Sequence, residues 1–253
     1  MWKTVVERLA RLRSLDRQCQ AFGASEHQYL LRPCLAANGI DAVENRLGGV
    51  LPDALKAFYT QVGNGIAGPN YGLKPSAELL SYRAGEDYRG VDALRQIASE
   101  VKTLGHRPDY FEVPFEELTG LLSVIDQGCG HQTCIVANGP KAGTVVYLSS
   151  DGFVVETKKS LVDIYLDWLW DEVKRFEAVQ DLMEAGKSYQ QIESALIARF
   201  GDYNAGGRIA SIANVKKPAE LFGEGNHRIY HGASQHPWYE NVLRSWQSKH
   251  LRI

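Results

Sequence analysis

Cysteine is scarce in this 253-residue chain, with 4 in all: Cys19, Cys34, Cys129 and Cys134. So few in so long a chain exclude a disulfide framework, and the expected state is four thiols in a reducing cytoplasm. No apolar run approaches the ~20 residues a membrane-spanning helix needs. Met1 to Leu15 has no continuous apolar stretch of the kind that marks a secretory signal, so none is expected. A strong charge of one sign is missing too. The net charge of −2 argues against bulk nucleic-acid binding. Internal repeats and low-complexity segments are also lacking, which sets aside solenoids and linker-like chains.

What is present is an ordinary globular composition, 44% hydrophobic and 23% charged, in a chain long enough to bury a core of its own. The charge is unevenly spread. Residues 1–185 hold 19 Lys+Arg and 25 Asp+Glu, and residues 186–253 hold 9 and 5. Such a split can mark a domain boundary or a change of partner.

The organising stretch is Leu51-Pro52-Asp53-Ala54-Leu55-Lys56-Ala57-Phe58-Tyr59, running on to Val62-Gly63-Asn64-Gly65. Pro52 suits a first helical turn, where its missing N–H is no loss, and Asp53 complements the positive end of the helix dipole. Leu51, Leu55, Phe58, Tyr59 and Val62 share a face. Gly63-Asn64-Gly65 then supplies residues that tolerate a left-handed C-cap. Before it, Ile40 to Gly48 reads as another helix. After it come a helix started at Ser76, a helix from Val91 to Leu104, and then runs separated by turn clusters. Leu121–Ile125, Thr133–Ala137 and Thr144–Leu148, with Phe153–Glu156 as a fourth, read as an antiparallel meander. Gly139-Pro140-Lys141-Ala142-Gly143-Thr144 lacks the Gly-Lys-Ser/Thr end of a phosphate loop and reads as a hairpin turn.

Ser160-Leu161-Val162-Asp163 is a capping signal for a helix reaching toward Gly186. At the other end of the chain, Trp2, Val5, Val6, Leu9 and Leu12 outline an amphipathic helix that packs on its own domain, with Gly23 at or after its end. Beyond Lys187 the pattern is helical: Ser188–Phe200, a short helix or turn at Pro218–Phe222, and a last helix from Pro237 to Trp246. The expected architecture is therefore α+β, an antiparallel sheet packed with helices, plus a mainly helical C-terminal extension. The expected division is 1–36 as an N-terminal helical segment, 37–185 as the α+β domain and 186–253 as the extension.

The order of these blocks, from Ile40-Asp41-Ala42-Val43-Glu44-Asn45-Arg46-Leu47-Gly48 through Gly128-Cys129-Gly130, Val136-Ala137-Asn138-Gly139-Pro140 and Asp151-Gly152-Phe153-Val154 to the helix after Leu161, resembles the SUKH superfamily. That superfamily includes bacterial toxin-immunity proteins and fungal cell-wall regulators. The resemblance covers Ile40 to Phe176 and implies a non-catalytic binding protein of the cytoplasm. Its partner would be a cognate toxin, such as a nuclease effector of a polymorphic toxin or secretion system. No catalytic residue, metal, cofactor, membrane or direct nucleic-acid partner is expected.

Loops at the ends of a rigid sheet can vary without loss to the core. On that ground the toxin-binding candidates are Tyr71, Glu116, Glu117, Asp126, Asp151 and Glu156, whose carboxylates suit a toxin's Lys and Arg. One cluster stands against this reading. Cys129, His131 and Cys134 are soft ligands and nucleophiles, so a thiol- or zinc-dependent hydrolase is an alternative, as is a regulatory adaptor. No second Cys pair lies at ligand spacing, and a glycine turn flanked by small buried thiols accounts for the cluster better. Asp163, Asp167 and Asp171 recur at i, i+4 and i+8, read here as the solvated side of a helix. The aromatic residues of the basic tail, Tyr230, Trp238, Tyr239 and Trp246, fit the core of a small helical subdomain better than a stacking surface for nucleic acid.

Overall fold

A computed structural model describes residues 1–100, 117–150, 154–216 and 232–251. The chain divides into two compact units, one of Met1–Val6 and Tyr29–Trp168, the other of Glu7–Gln28 and Leu169–Ile253. The sequence-based boundaries at 36/37 and 185/186 group the residues differently. Helix α1 (Trp2–Leu15) and helix α6 (Leu161–Glu184) each contribute to both units.

The first unit is built on a five-stranded antiparallel sheet in the order β1-β2-β3-β4-β5. Its strands are β1 (Leu80–Tyr82), β2 (Leu121–Gly128), β3 (His131–Val136), β4 (Val145–Leu148) and β5 (Val154–Glu156). The meander read from Leu121, Thr133 and Thr144 onward is therefore present, and β1 joins it by pairing Tyr82 with Leu121. Strand β2 runs past Ile125 because it bulges between Ser123 and Ile125 and again between Asp126 and Gly128, so polar residues that read as a turn remain in the ladder.

Side chains alternate across the sheet. On one face Leu121, Cys134, Val136, Val146, Leu148 and Val154 cluster with Tyr88, Leu118 and Leu94 of α5 (Val91–Glu100). The rest of the expected Val91–Leu104 helix lies outside the described residues. Leu122, Ile125, Ile135 and Val145 are buried in turn. Each fully buried Leu or Ile contributes about 2 kcal/mol by leaving water.

The motif helix is α4 (Asp53–Gln61), preceded by α3 (Ala37–Leu47), which ends on a left-handed Gly48. Pro52 stands at the N-cap, just outside the helix, and Val62 closes it in right-handed geometry, so the left-handed turn comes later, at Gly65. Leu55, Phe58 and Tyr59 are fully buried. Phe58 sits in an aromatic chain with Trp2 and Tyr165, at 4.9 and 4.8 Å, and Tyr165 continues it to Trp168 at 5.6 Å. Ser76 does not cap a helix. It is the first residue of a single 3-10 turn (Ser76–Glu78) after Pro75, and its N–H is taken by Asn64 Oδ1 at 2.8 Å. The start of α6 is capped as expected: Ser160 Oγ accepts the Asp163 N–H at 3.1 Å, and Asp163 accepts the Ser160 N–H at 3.2 Å.

The second unit is helical. It contains parts of α1 and α6 with α2 (Ala24–His27), α7 (Tyr189–Phe200), α8 (Ala205–Ile212) and α9 (Gly232–His250). Ser188 and Gln191 form a full capping box at the start of α7, and Gly201 ends it in left-handed geometry. Gly23 follows the end of α1 and stands just before α2, whereas Pro237 lies inside α9 instead of opening it. Pro218–Phe222 lies outside the described residues.

Candidate interaction surface

The antiparallel connectivity decides which loops share an end of the sheet. The β2–β3 tip, the residues after β4 and the start of β5 fall at one end. The approach to β2, the β3–β4 turn and the close of β5 fall at the other. Tyr71 and Asp126 meet at the first end: the Tyr71 N–H donates to the Asp126 carbonyl at 3.3 Å. The Tyr71 ring lies over Gly128, where a Cβ would come within 3.0 Å of its Cε2. Gly128 thus serves twice, through this close approach and through its φ of +88°. Asp126 Oδ1 accepts the Gly128 N–H at 2.8 Å and fixes the hairpin. The two-residue turn beyond, Cys129-Gly130, has φ values of 54° and 81°, the primed geometry whose twist suits a hairpin. Tyr71 remains 37% exposed.

Glu117 and Glu156 belong to the opposite end. The five strand steps from Leu121 to Asp126 alone separate the two ends by roughly 17 Å, so Glu117 and Asp126 form no single patch. Both carboxylates of that end are ion-paired. Glu117 takes Arg89 at 2.6 Å, and Glu156 takes Lys141 at 2.8 Å and the Val91 N–H at 3.1 Å. Burial acts to raise the Glu156 pKa, but the Lys141 ammonium and the Val91 N–H outweigh it and hold the carboxyl below its usual range. Among the described residues Asp126 has no ion pair, which leaves its charge available to a partner. Glu116 and Asp151 lie outside the described residues.

The alternative site fares as follows. Cys129 is exposed at the hairpin tip and Cys134 is fully buried. His131 and Cys134 lie an odd number of residues apart on β3, hence on opposite faces of the sheet. His131 Nδ1 accepts the Ser150 N–H at 3.3 Å. Burial pushes the Cys134 thiol up to about 12, so at neutral pH it is no thiolate nucleophile or ready metal ligand. No group of three or more His, Cys, Asp or Glu poised for a metal occurs among the described residues. On α6, Asp163 caps its own helix and Asp167 pairs with Lys159 at 2.6 Å. One feature had no sequence signal. Lys74 Nζ donates to the buried Ser123 Oγ at 2.7 Å, and burial lowers the Lys74 pKa. The two residues are 49 positions apart, and the backbone pairing of Tyr71–Lys74 with Val124–Asp126 brings them together.

The model for the SMI1 / KNR4 family (SUKH-1) matches residues 35–168, more than half of the chain. The chain belongs to the SUKH-1 family. No curated protein and no solved structure matches it. The matched span of this SUKH-1 chain contains the whole sheet, the α3–α4 motif and the Tyr71–Asp126 surface. Helices α7 to α9 lie beyond it. Among the described residues no helix is long and apolar enough to cross a membrane.

Proposed function

We propose that this SUKH-1 chain is a cytoplasmic immunity protein that binds and neutralises a cognate bacterial toxin, a nuclease effector of a polymorphic toxin or secretion system, without catalysis. The observation that supports it most is the family match over residues 35–168. Neutralisation needs only a complementary surface over the toxin's site. A nuclease cleft is positive to hold phosphates, so an acidic surface suits it. The first unit holds 13 Lys+Arg against 17 Asp+Glu. Tyr71 and the unpaired Asp126 at the hairpin end form the centre of the surface, an aromatic anchor beside a charge. Glu117 and Glu156 contribute less, because a toxin cation must first displace Arg89 or Lys141.

The test is co-expression with the product of an adjacent toxin gene, followed by titration of the purified pair. The wild-type chain should rescue growth. Tyr71→Ala with Asp126→Asn, which keeps the Gly128 hydrogen bond, should weaken binding about 10- to 100-fold, of the size expected for a hot spot. The charge component of that loss should shrink at high salt. Glu117→Gln with Glu156→Gln should change binding by less than about threefold, the scale of a rim contact. Rescue and affinity untouched by the Tyr71/Asp126 change would move the surface elsewhere. Absence of rescue, or turnover of a substrate lost in Cys129→Ala, would refute the immunity reading itself.

A further inference from the structure

Three Asn-Gly pairs occur in the chain: Asn38-Gly39, Asn64-Gly65 and Asn138-Gly139. Asparagine is a chemically labile side chain. A following glycine aggravates this, because no Cβ shields the backbone nitrogen that can attack the side-chain amide. The fold decides between the three pairs, since both the nitrogen and the amide must be free to meet. At Asn38 the nitrogen is engaged: the pair lies in α3, and the Gly39 N–H donates to the Ala36 carbonyl at 2.9 Å. At Asn64 the amide is held. Its Oδ1 accepts the Ser76 N–H at 2.8 Å, and Gly65 is buried against Pro75, where a Cβ would come within 2.8 Å of Cγ. Asn138 differs on each count. It is exposed, in the turn between β3 and β4. Among the described residues the Gly139 N–H has no acceptor. The amide keeps one tie, from Nδ2 to the Gly85 carbonyl at 3.2 Å. The turn itself is closed by other groups: the Gly143 N–H donates to the Val136 carbonyl at 2.8 Å, and the Ala142 N–H to the Gly139 carbonyl at 3.0 Å.

We propose that Asn138 is a spontaneous deamidation site of this chain, and that its conversion frees the β3–β4 turn from the loop at Gly85. The step needs only water. The Gly139 nitrogen bonds to Asn138 Cγ, and the side-chain nitrogen leaves as ammonia with the proton that the Gly139 nitrogen gives up. Water then opens the resulting succinimide at either carbonyl. One opening gives aspartate; the other gives isoaspartate, with the backbone rerouted through the former side chain. In either product residue 138 carries a carboxylate, which has no N–H to donate to the Gly85 carbonyl. The new charge also arrives beside a like charge, because Asp87 Oδ1 lies 3.1 Å from where a Cβ on Gly139 would stand. Gly139 has φ +85° and is required by the turn, whereas Asn138 is not in left-handed geometry, so the turn itself does not call for asparagine. The site lies at the end of the sheet away from Tyr71 and Asp126 and does not depend on the function assigned there.

Peptide mapping by mass spectrometry, on the full chain held folded at mildly alkaline pH, tests it. Asn138 should convert at least about fivefold faster than Asn38, the factor for first breaking one backbone hydrogen bond, and faster than Asn64. In urea the three rates should converge. An isoaspartyl methyltransferase with labelled S-adenosylmethionine should methylate the aged chain, with most of the signal lost in aged Asn138→Gln. A lysine-specific protease should cut after Lys141 faster in the aged chain than in the fresh chain or in aged Asn138→Gln. Conversion of Asn138 no faster than that of the other two, or methylation indifferent to Asn138→Gln, would overturn the site. Cleavage after Lys141 unchanged by ageing would overturn the release of the turn.

Discussion

Arg208 is a buried cation of the second unit. The residue is 3% exposed, and its guanidinium carbon lies 4.4 Å from the Phe176 ring centroid. It donates to Glu172 at 2.9 Å and to Asp202 at 2.7 Å, both themselves buried. Burial works against its positive charge, but the two carboxylates outweigh burial and raise its pKa. Replacing Arg208 by Met preserves much of the packing and leaves two buried carboxylates with Arg175 as their one cation among the described residues, reaching Glu172 at 3.2 Å, while Asp202 keeps the Asn204 N–H at 2.8 Å. Stranding buried charge in this way costs about 3–5 kcal/mol. With an m-value of about 1.5 kcal/mol per M, the urea midpoint of the helical unit should fall by about 2–3 M. Far-UV circular dichroism and tryptophan fluorescence follow the transition. The triple variant Arg208→Met, Glu172→Gln, Asp202→Asn removes the charges while keeping hydrogen-bonding groups, and should recover more than half of the loss. A single variant within about 0.5 M of wild type would refute the reasoning, as would a triple variant as unstable as the single.

Further expectations concern the first unit. Glu44 accepts Lys56 Nζ and the Leu51 N–H, each at 2.8 Å, and the Lys56 bond outweighs burial to lower its pKa. A depressed carboxyl stabilises the fold above its unfolded-state pKa and loses that contribution as pH falls through the folded value. Glu44→Gln should therefore cost about 1–2 kcal/mol at pH 7, and the gap from wild type should close below about pH 4, as urea melts across pH will show. Ellman titration of the native protein should modify Cys34 and Cys129 rapidly and Cys134 only on unfolding; fast labelling of Cys134 would contradict its burial. Gly120→Ala should lower stability by at least about 2 kcal/mol in thermal melts, since Gly120 has φ +67° and a Cβ there would lie 2.5 Å from the Tyr88 nitrogen.

The parts of the fold that the sequence reveals are those with a strong local signal. The three central strands are short apolar or β-branched runs, buried along most of their length, the turns between them carry glycine, and Ser160 and Ser188 stand at the starts of their helices. Strand β1 has no such signal: three residues, with Leu80 and Ser81 exposed, register as a strand only through their pairing with β2. Helix α8 is hidden by Gly206-Gly207, a loop-like pair. The helix accepts Gly206 because a Cβ there would fall 2.3 Å from the Tyr239 ring, so the glycine is what lets α9 approach. For the candidate surface the sequence offers residues one at a time and not their grouping. Glu117 and Asp126 are near neighbours in sequence, and it takes the strand between them to send them to opposite ends of the sheet. No local pattern encodes the pairing of Lys74 with Ser123.

Both margins of the sheet are three residues long, β1 on one side and β5 on the other, against eight in β2. So short a margin gives another chain almost no ladder to extend, and Glu156 adds a charge on the β5 side. Backbone-to-backbone recognition, with its indifference to side-chain identity, has three described strand residues to work on at either margin. Whatever the sheet recognises it must read through side chains at its tips and faces. Specificity there can be rewritten one residue at a time, with the strand pairing left alone.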